Sequence, residues 1–145
     1  MKKYYFLTLL LATFSVVNAQ MLFIETDYHD YMYYDEQNDK AIAIESFKET
    51  YFFGIDDDIT TVFRMNAANQ DLIDVFMVDD WNSKENGALY INAKDIDKLE
   101  YMILFDPDTL FVIFSYINES DDVVYMNRYS IKNIESLDGD GNVID

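Results

Sequence analysis

Between Lys98 and Ile131 the chain reads KLEYMILF, DPDT, LFVIFSYI, NESDD and VVYMNRYSI in succession. Three apolar runs of strand length, rich in β-branched and aromatic residues, are separated by turn chemistry, which reads as two consecutive β-hairpins. In the middle run Leu110, Val112, Phe114 and Tyr116 point one way, while Phe111, Ile113 and Ile117 point the other. Both sets are apolar, and this predicts a strand covered on both faces at the centre of the core.

Upstream of this stretch the same alternation recurs. MLFIETD (21–27) reads as a first strand continued by the tyrosines of YHDYMYY (28–34), and DEQND (35–39) as a polar turn. The segment AIAIESFKETYFF (41–53) has helix-favouring Ala, Glu and Lys, but Ile42/Ile44 and Tyr51/Phe53 alternate with polar residues, so two strands are expected. After a turn at Asp56-Asp57-Asp58, strands are expected at 59–65 and 72–78, then a polar loop at 79–86 holding Trp81. A short strand at 88–91 and a turn at 93–97 lead into the hairpins, where Pro107 pre-sets a turn. Eight or nine strands at spacings near ten residues, with no helix of crossover length, predict an all-β antiparallel meander. The candidates are a small up-and-down barrel, lipocalin-like in shape, and a two-layer sandwich. The barrel is preferred, because consecutive hairpins with short links close more simply than Greek keys.

The first nineteen residues read as an export signal. Lys2 and Lys3 form its basic region, residues 4–17 its apolar stretch, and Val17-Asn18-Ala19 a small-residue cleavage site. That apolar stretch is 14 residues, short of the roughly 20 a helix needs to span a bilayer. The sequence has no cysteine, hence no acceptor for a thioether lipid, and the expectation is a periplasmic or extracellular protein that is not a lipoprotein. Residues 20–145 then form a single domain, large enough to bury a core without crosslinks. It carries 10 Tyr, 9 Phe and 1 Trp to fill that core.

Without Lys2 and Lys3, eight basic residues face 28 acidic ones, a net charge of −20. Such a surface repels phosphate backbones and anionic lipid, so neither nucleic acid nor an anionic membrane surface is expected as a partner. It attracts basic protein patches and divalent cations, and it also simply confers solubility.

Candidate chemistry is sparse. The run SLDGDGNVID (136–145) places oxygen donors at alternate positions before a glycine, resembling the opening of an EF-hand-type calcium loop. Asp138, Asp140 and Asn142 would be its ligands, yet the run stops at its tenth position, before the bidentate carboxylate of such loops. Calcium is therefore the one cofactor weighed, against a solvated turn. The other acidic clusters, at 56–58, 79–80 and 121–122, read as turn-forming aspartates. His29 is the sole histidine, which excludes multi-histidine metal sites. A triad would have to use it, with Asp30 as the candidate acid, and none of the serines lies in a nucleophile-elbow context. A carboxylate pair for hydrolysis has no signature that sequence can locate. Tyr28, Tyr31, Tyr33, Tyr34 and Trp81 are the aromatics expected to be partly exposed, with Tyr31 and Tyr33 on one strand face and Tyr34 on the other. Such rings stack on glycans or anchor a protein partner, or simply fit a half-buried pleated surface.

The leader ending in Asn-Ala-Gln resembles those of exported proteins of Bacteroidota. The pieces DYMYYDEQ, FFGIDDDITTVFRM and YMILFD are similar to small secreted β-rich proteins of unknown function from those bacteria. The resemblance implies export and a small β-barrel, and lends no activity. The expectation is a non-enzymatic binding or interaction module for a protein, small-molecule or glycan partner. A calcium-dependent structural or adhesion domain and a carboxylate-based hydrolase are the alternatives.

Overall fold

In the computed structural model, which describes residues 21–138, the chain is entirely β. The strands are β1 (Met21–Asp35), β2 (Lys40–Phe47), β3 (Tyr51–Asp56), β4 (Thr61–Asn66), β5 (Leu72–Ser83), β6 (Leu89–Lys94), β7 (Glu100–Asp106), β8 (Phe111–Asn118) and β9 (Val123–Leu137). All pair antiparallel, and the pairing of β1 with β9 closes eight of them into a barrel, with β2 left outside. The sandwich is thereby ruled out. Residues 1–20 and 139–145 fall outside the described residues, and with them the export signal, Asp140 and Asn142.

β1 organises this topology because its two halves have different neighbours. Residues Met21–Thr26 pair with β3, residues His29–Asp35 pair with β2, and β9 runs along the other edge of both. At the junction Asp27 on β1 and Lys132 on β9 are skipped by the register. Such bulges bend a strand and shift its side-chain parity. Leu22, Ile24 and Thr26 therefore share the concave face with His29, Tyr31 and Tyr33, although their numbers have opposite parity.

The barrel interior is filled. Ile24, Phe53, Ile55, Val62, Phe76, Ile91, Ile103, Phe105, Val112, Phe114 and Tyr129 form one buried cluster. Ring contacts at 4.8–5.9 Å link Phe53, Phe76, Phe114 and Tyr129. The strand buried on both faces is β3, not β8. On β8 Val112 and Phe114 face the core, but Ile117 is 56% exposed and Leu110 lies in the preceding turn. β3 gains its outer cover from Phe63 and Met65 of β4 with Phe23 and Met21 of β1. Its Gly54 is needed there: a Cβ would stand 2.1 Å from the ring of Phe63, which lies across the directly paired glycine.

The turns explain where many acidic residues go. Asp35, Asp56, Asn66, Asp95, Asp106 and Asn118 each stand at or just beyond a strand end, and each side-chain oxygen accepts from backbone N–H groups two to five residues on. The same turns close with a residue in the left-handed region, Asp39, Ile59, Gln70, Lys98, Leu110 and Asp122. This Asx-turn device closes each of these six turns and needs short acidic or amide side chains. Segments read from sequence as non-strand are strand instead. Residues 79–83 extend β5, with a bulge between Val78 and Asp80, residues 92–94 extend β6, and Ser136 and Leu137, read as the opening of the terminal loop, end β9 with Leu137 buried.

Candidate binding face

Beyond the barrel rim, β2, the second half of β1, the first half of β9 and the end of β8 continue as a single protruding layer. Its outer side is fastened by Asp30, which accepts from Ser46 on β2 at 2.6 Å and from Arg128 on β9 at 2.7 Å. The Arg128 guanidinium in turn lies 4.7 Å from the ring centroid of Phe111 on β8. One carboxylate thus ties four strands together. The hydrogen bond from Ser46 holds the Asp30 carboxyl below its ordinary range; Arg128 adds to this, and burial opposes it.

The inner side faces the barrel mouth and is aromatic. Ile42, Tyr33, Tyr125 and Tyr116 form one row across the four strands, Glu45, Tyr31, Asn127 and Phe114 the next, and Phe47, His29, Tyr129 and Val112 the third. Tyr31 stacks on Tyr125 at 5.7 Å, Tyr125 on Tyr116 at 5.9 Å, and Tyr116 meets Tyr101 of β7 at 5.5 Å. All four rings are half-buried. Burial pushes the Tyr116 hydroxyl upward, helped by a hydrogen bond with Tyr31, and burial does the same for Tyr101. The Tyr125 hydroxyl donates to Asp121 at 2.8 Å, which raises it too.

Below the tyrosines lies a polar floor. Arg64 of β4 faces inward, paired with Asp74 of β5 and donating to the hydroxyl of Tyr129, with its guanidinium 5.2 Å from the Tyr51 ring. Burial lifts Tyr129 to about 12. Tyr51 also reaches about 12, by burial and by its hydrogen bond to Glu49. His29 stacks on Tyr129 at 4.4 Å and bonds through Nε2 to Asn127 Oδ1 at 2.8 Å. The second ring nitrogen of His29 and the Nε of Arg64 are buried without a hydrogen-bond partner. A cavity of about 60 Å³ lies between Arg64, Asp74, Tyr101, Asn127 and Tyr129. That is room for water, or for a small polar group of a ligand, beside Arg64, whose Nε otherwise lacks a partner.

The sequence-predicted residues separate in this geometry. Tyr31 and Tyr33 lie on the concave face, with Tyr34 opposite, as alternation requires. Tyr28 points outward and is 46% exposed. Trp81, equally exposed, sits on the extension of β5 toward the barrel's other end. Neither joins the tyrosine row. His29 and Asp30 point to opposite faces of β1, so they do not form the pair a triad would need. Asp138 follows β9 directly, and among the described residues no group of three or more His, Asp or Glu is placed to hold a metal ion. Sequence reading missed Arg64, Asp74, Tyr101, Tyr116 and Tyr125. For Arg64 a signal existed, since in TVFRMN it shares the alternation of Val62 and is a lone charge on a core-facing side.

The fold and face together define a small antiparallel β-barrel with one open, aromatic end. Comparison with protein-family models, with curated proteins and with solved structures finds no match.

Proposed function

We propose that this chain is an exported, non-enzymatic binding module whose partner seats on the concave tyrosine face. One observation carries the reading: a row of half-exposed tyrosine rings stands on a concave layer outside the packed core, above buried polar atoms that lack partners. Rigid phenol side chains offer large contact area at low entropic cost, together with a hydroxyl for hydrogen bonding. Three carboxylates near the face already serve other groups: Asp30 fastens strands, Asp74 neutralises Arg64 and Asp121 accepts from Tyr125. This favours binding over carboxylate-based hydrolysis.

The test is a screen of the chain from Gln20 onward against glycan and peptide arrays, followed by titration of any hit with the Tyr31→Ala/Tyr125→Ala double variant. Loss of about tenfold or more in affinity, with folding retained, is expected. Unchanged affinity would remove the face from consideration. Cell fractionation with N-terminal sequencing tests export: a mature chain beginning at Gln20 outside the inner membrane is expected, and an intact Met1 in the cytosol contradicts it.

A further inference from the structure

We infer that the fork between β7 and β8, beside the tyrosine row, receives an extended segment of another protein in which basic side chains alternate with apolar ones. This goes beyond the proposed function: Met102 and Ile117 alternate with the inward-facing Tyr101 and Tyr116, so the fork is a second surface at the same end of the barrel. The ladder between the two strands ends at Met102–Ser115, where the Ser115 hydroxyl donates to the Met102 carbonyl at 3.2 Å. Beyond that point β7 stays with β6, while residues 116–118 of β8 continue with β9 only. A cleft of about 820 Å³ opens between them.

Its floor and rim differ in character. Leu99, Met102 and Ile117 are apolar floor residues 37%, 52% and 56% exposed. The rim carries Asp79, Asp80, Glu100 and Glu119. Among the described residues Lys94 is shared between Asp79 and Glu100, at 3.3 and 3.5 Å, and Glu119 has no ion-pair partner. Lys98 also lines the cleft, so the rim remains acidic by a margin rather than uniformly. Exposed apolar floor beneath net negative charge is complementary to a strand with apolar side chains on one face and Lys or Arg on the other. The strand edge of β8 left open at residues 116–118 supplies a short backbone ladder for such a segment. The net charge of −18 over the whole chain adds long-range attraction for a basic partner.

The experiment uses dye-labelled synthetic peptides of about eight residues, roughly 26 Å when extended. One alternates Lys with Val, the other Glu with Val, and fluorescence anisotropy is read at low and at physiological salt. Saturable binding of the Lys–Val peptide at both salts is expected, with none for the Glu–Val peptide. Ile117→Asp then decides between docking and mere attraction. It adds a negative charge, so a diffuse electrostatic association tightens, whereas docking on the apolar floor weakens by about tenfold. Glu100→Lys/Glu119→Lys should weaken binding independently, and circular dichroism confirms that each variant is folded. Absence of Lys–Val binding, or affinity undiminished in folded Ile117→Asp, overturns the inference. The two readings fail separately. A glycan lost only in Tyr31→Ala/Tyr125→Ala, with no peptide bound, leaves the tyrosine face and removes the fork. A peptide sensitive to Ile117→Asp but indifferent to the tyrosine pair does the reverse.

Discussion

The two halves of β1 make contrasting use of one strand. Residues 21–26 lie between β3 and β9, with Ile24 and Thr26 fully buried and the Thr26 hydroxyl spent on the Tyr51 carbonyl at 3.2 Å. Residues 29–35 lie between β2 and β9 in a single layer, with Tyr31 and Tyr33 half-open above the barrel mouth. The first half lives on apolar burial. The second buries only Met32 and is otherwise held by cross-strand rings on one side and the Asp30–Ser46–Arg128 network on the other, interactions worth a few tenths to about 1 kcal/mol each. A strand can thus be anchored at one end and left open to a partner at the other.

Substitutions should respect that division. Phe53→Ala, in the filled half, removes a ring touching Phe114 and Tyr129 and should cost about 3–5 kcal/mol in urea unfolding. Gly54→Ala should cost about 1–3 kcal/mol, because Phe63 must leave its place across the glycine. A neutral result there would mean that the outer cover of β3 is loose. In the open half, Tyr31→Ala/Tyr125→Ala should cost no more than about 1 kcal/mol. A loss matching that of Phe53→Ala would erase the distinction.

The pH dependence sharpens the same contrast. Tyr51 and Tyr129 ionise near 10 unfolded and about 12 folded. Their contribution is complete below pH 10 and lost as the pH rises through 12, so denaturant midpoints should fall across that window. Tyr129→Phe should make the fall shallower. Asp30 shifts the other way, from an ordinary 3.8 downward. Its contribution is present above that value and lost as the pH falls through the lower folded pKa, loosening the outer layer in acid. Asp30→Asn should be less stable at neutral pH and less sensitive to acid; an unchanged acid profile would show that the network fastens nothing.

Much of the fold was legible because alternation and turn chemistry are local. The hairpins around Pro107, the two strands within 41–53 and the shared face of Tyr31 and Tyr33 all follow from spacing. What failed depended on partners distant in sequence. β8 has two apolar faces, yet its outer one lies on the wall, and the doubly covered strand is β3, whose cover comes from β1 and β4. The run Asp79-Asp80-Trp81 looks like a loop because it is polar, but β6 pairs with it along an extension of the barrel wall. The candidate face was half legible. Its own strand announced Tyr31 and Tyr33, while Tyr116 and Tyr125 join them only through the register of β8 and β9. The skipped Asp27, which brings His29 to the side of Ile24, has no signature in residue spacing.

Amide hydrogen exchange, residue by residue along β1, β2 and β3, tests the division most directly. Amides of the 21–26 ladder with β3 should exchange only through global unfolding, and those of the 29–35 ladder with β2 far faster, through local opening. Equal protection in both ladders would contradict the account, since the open end would then belong to the same cooperative core.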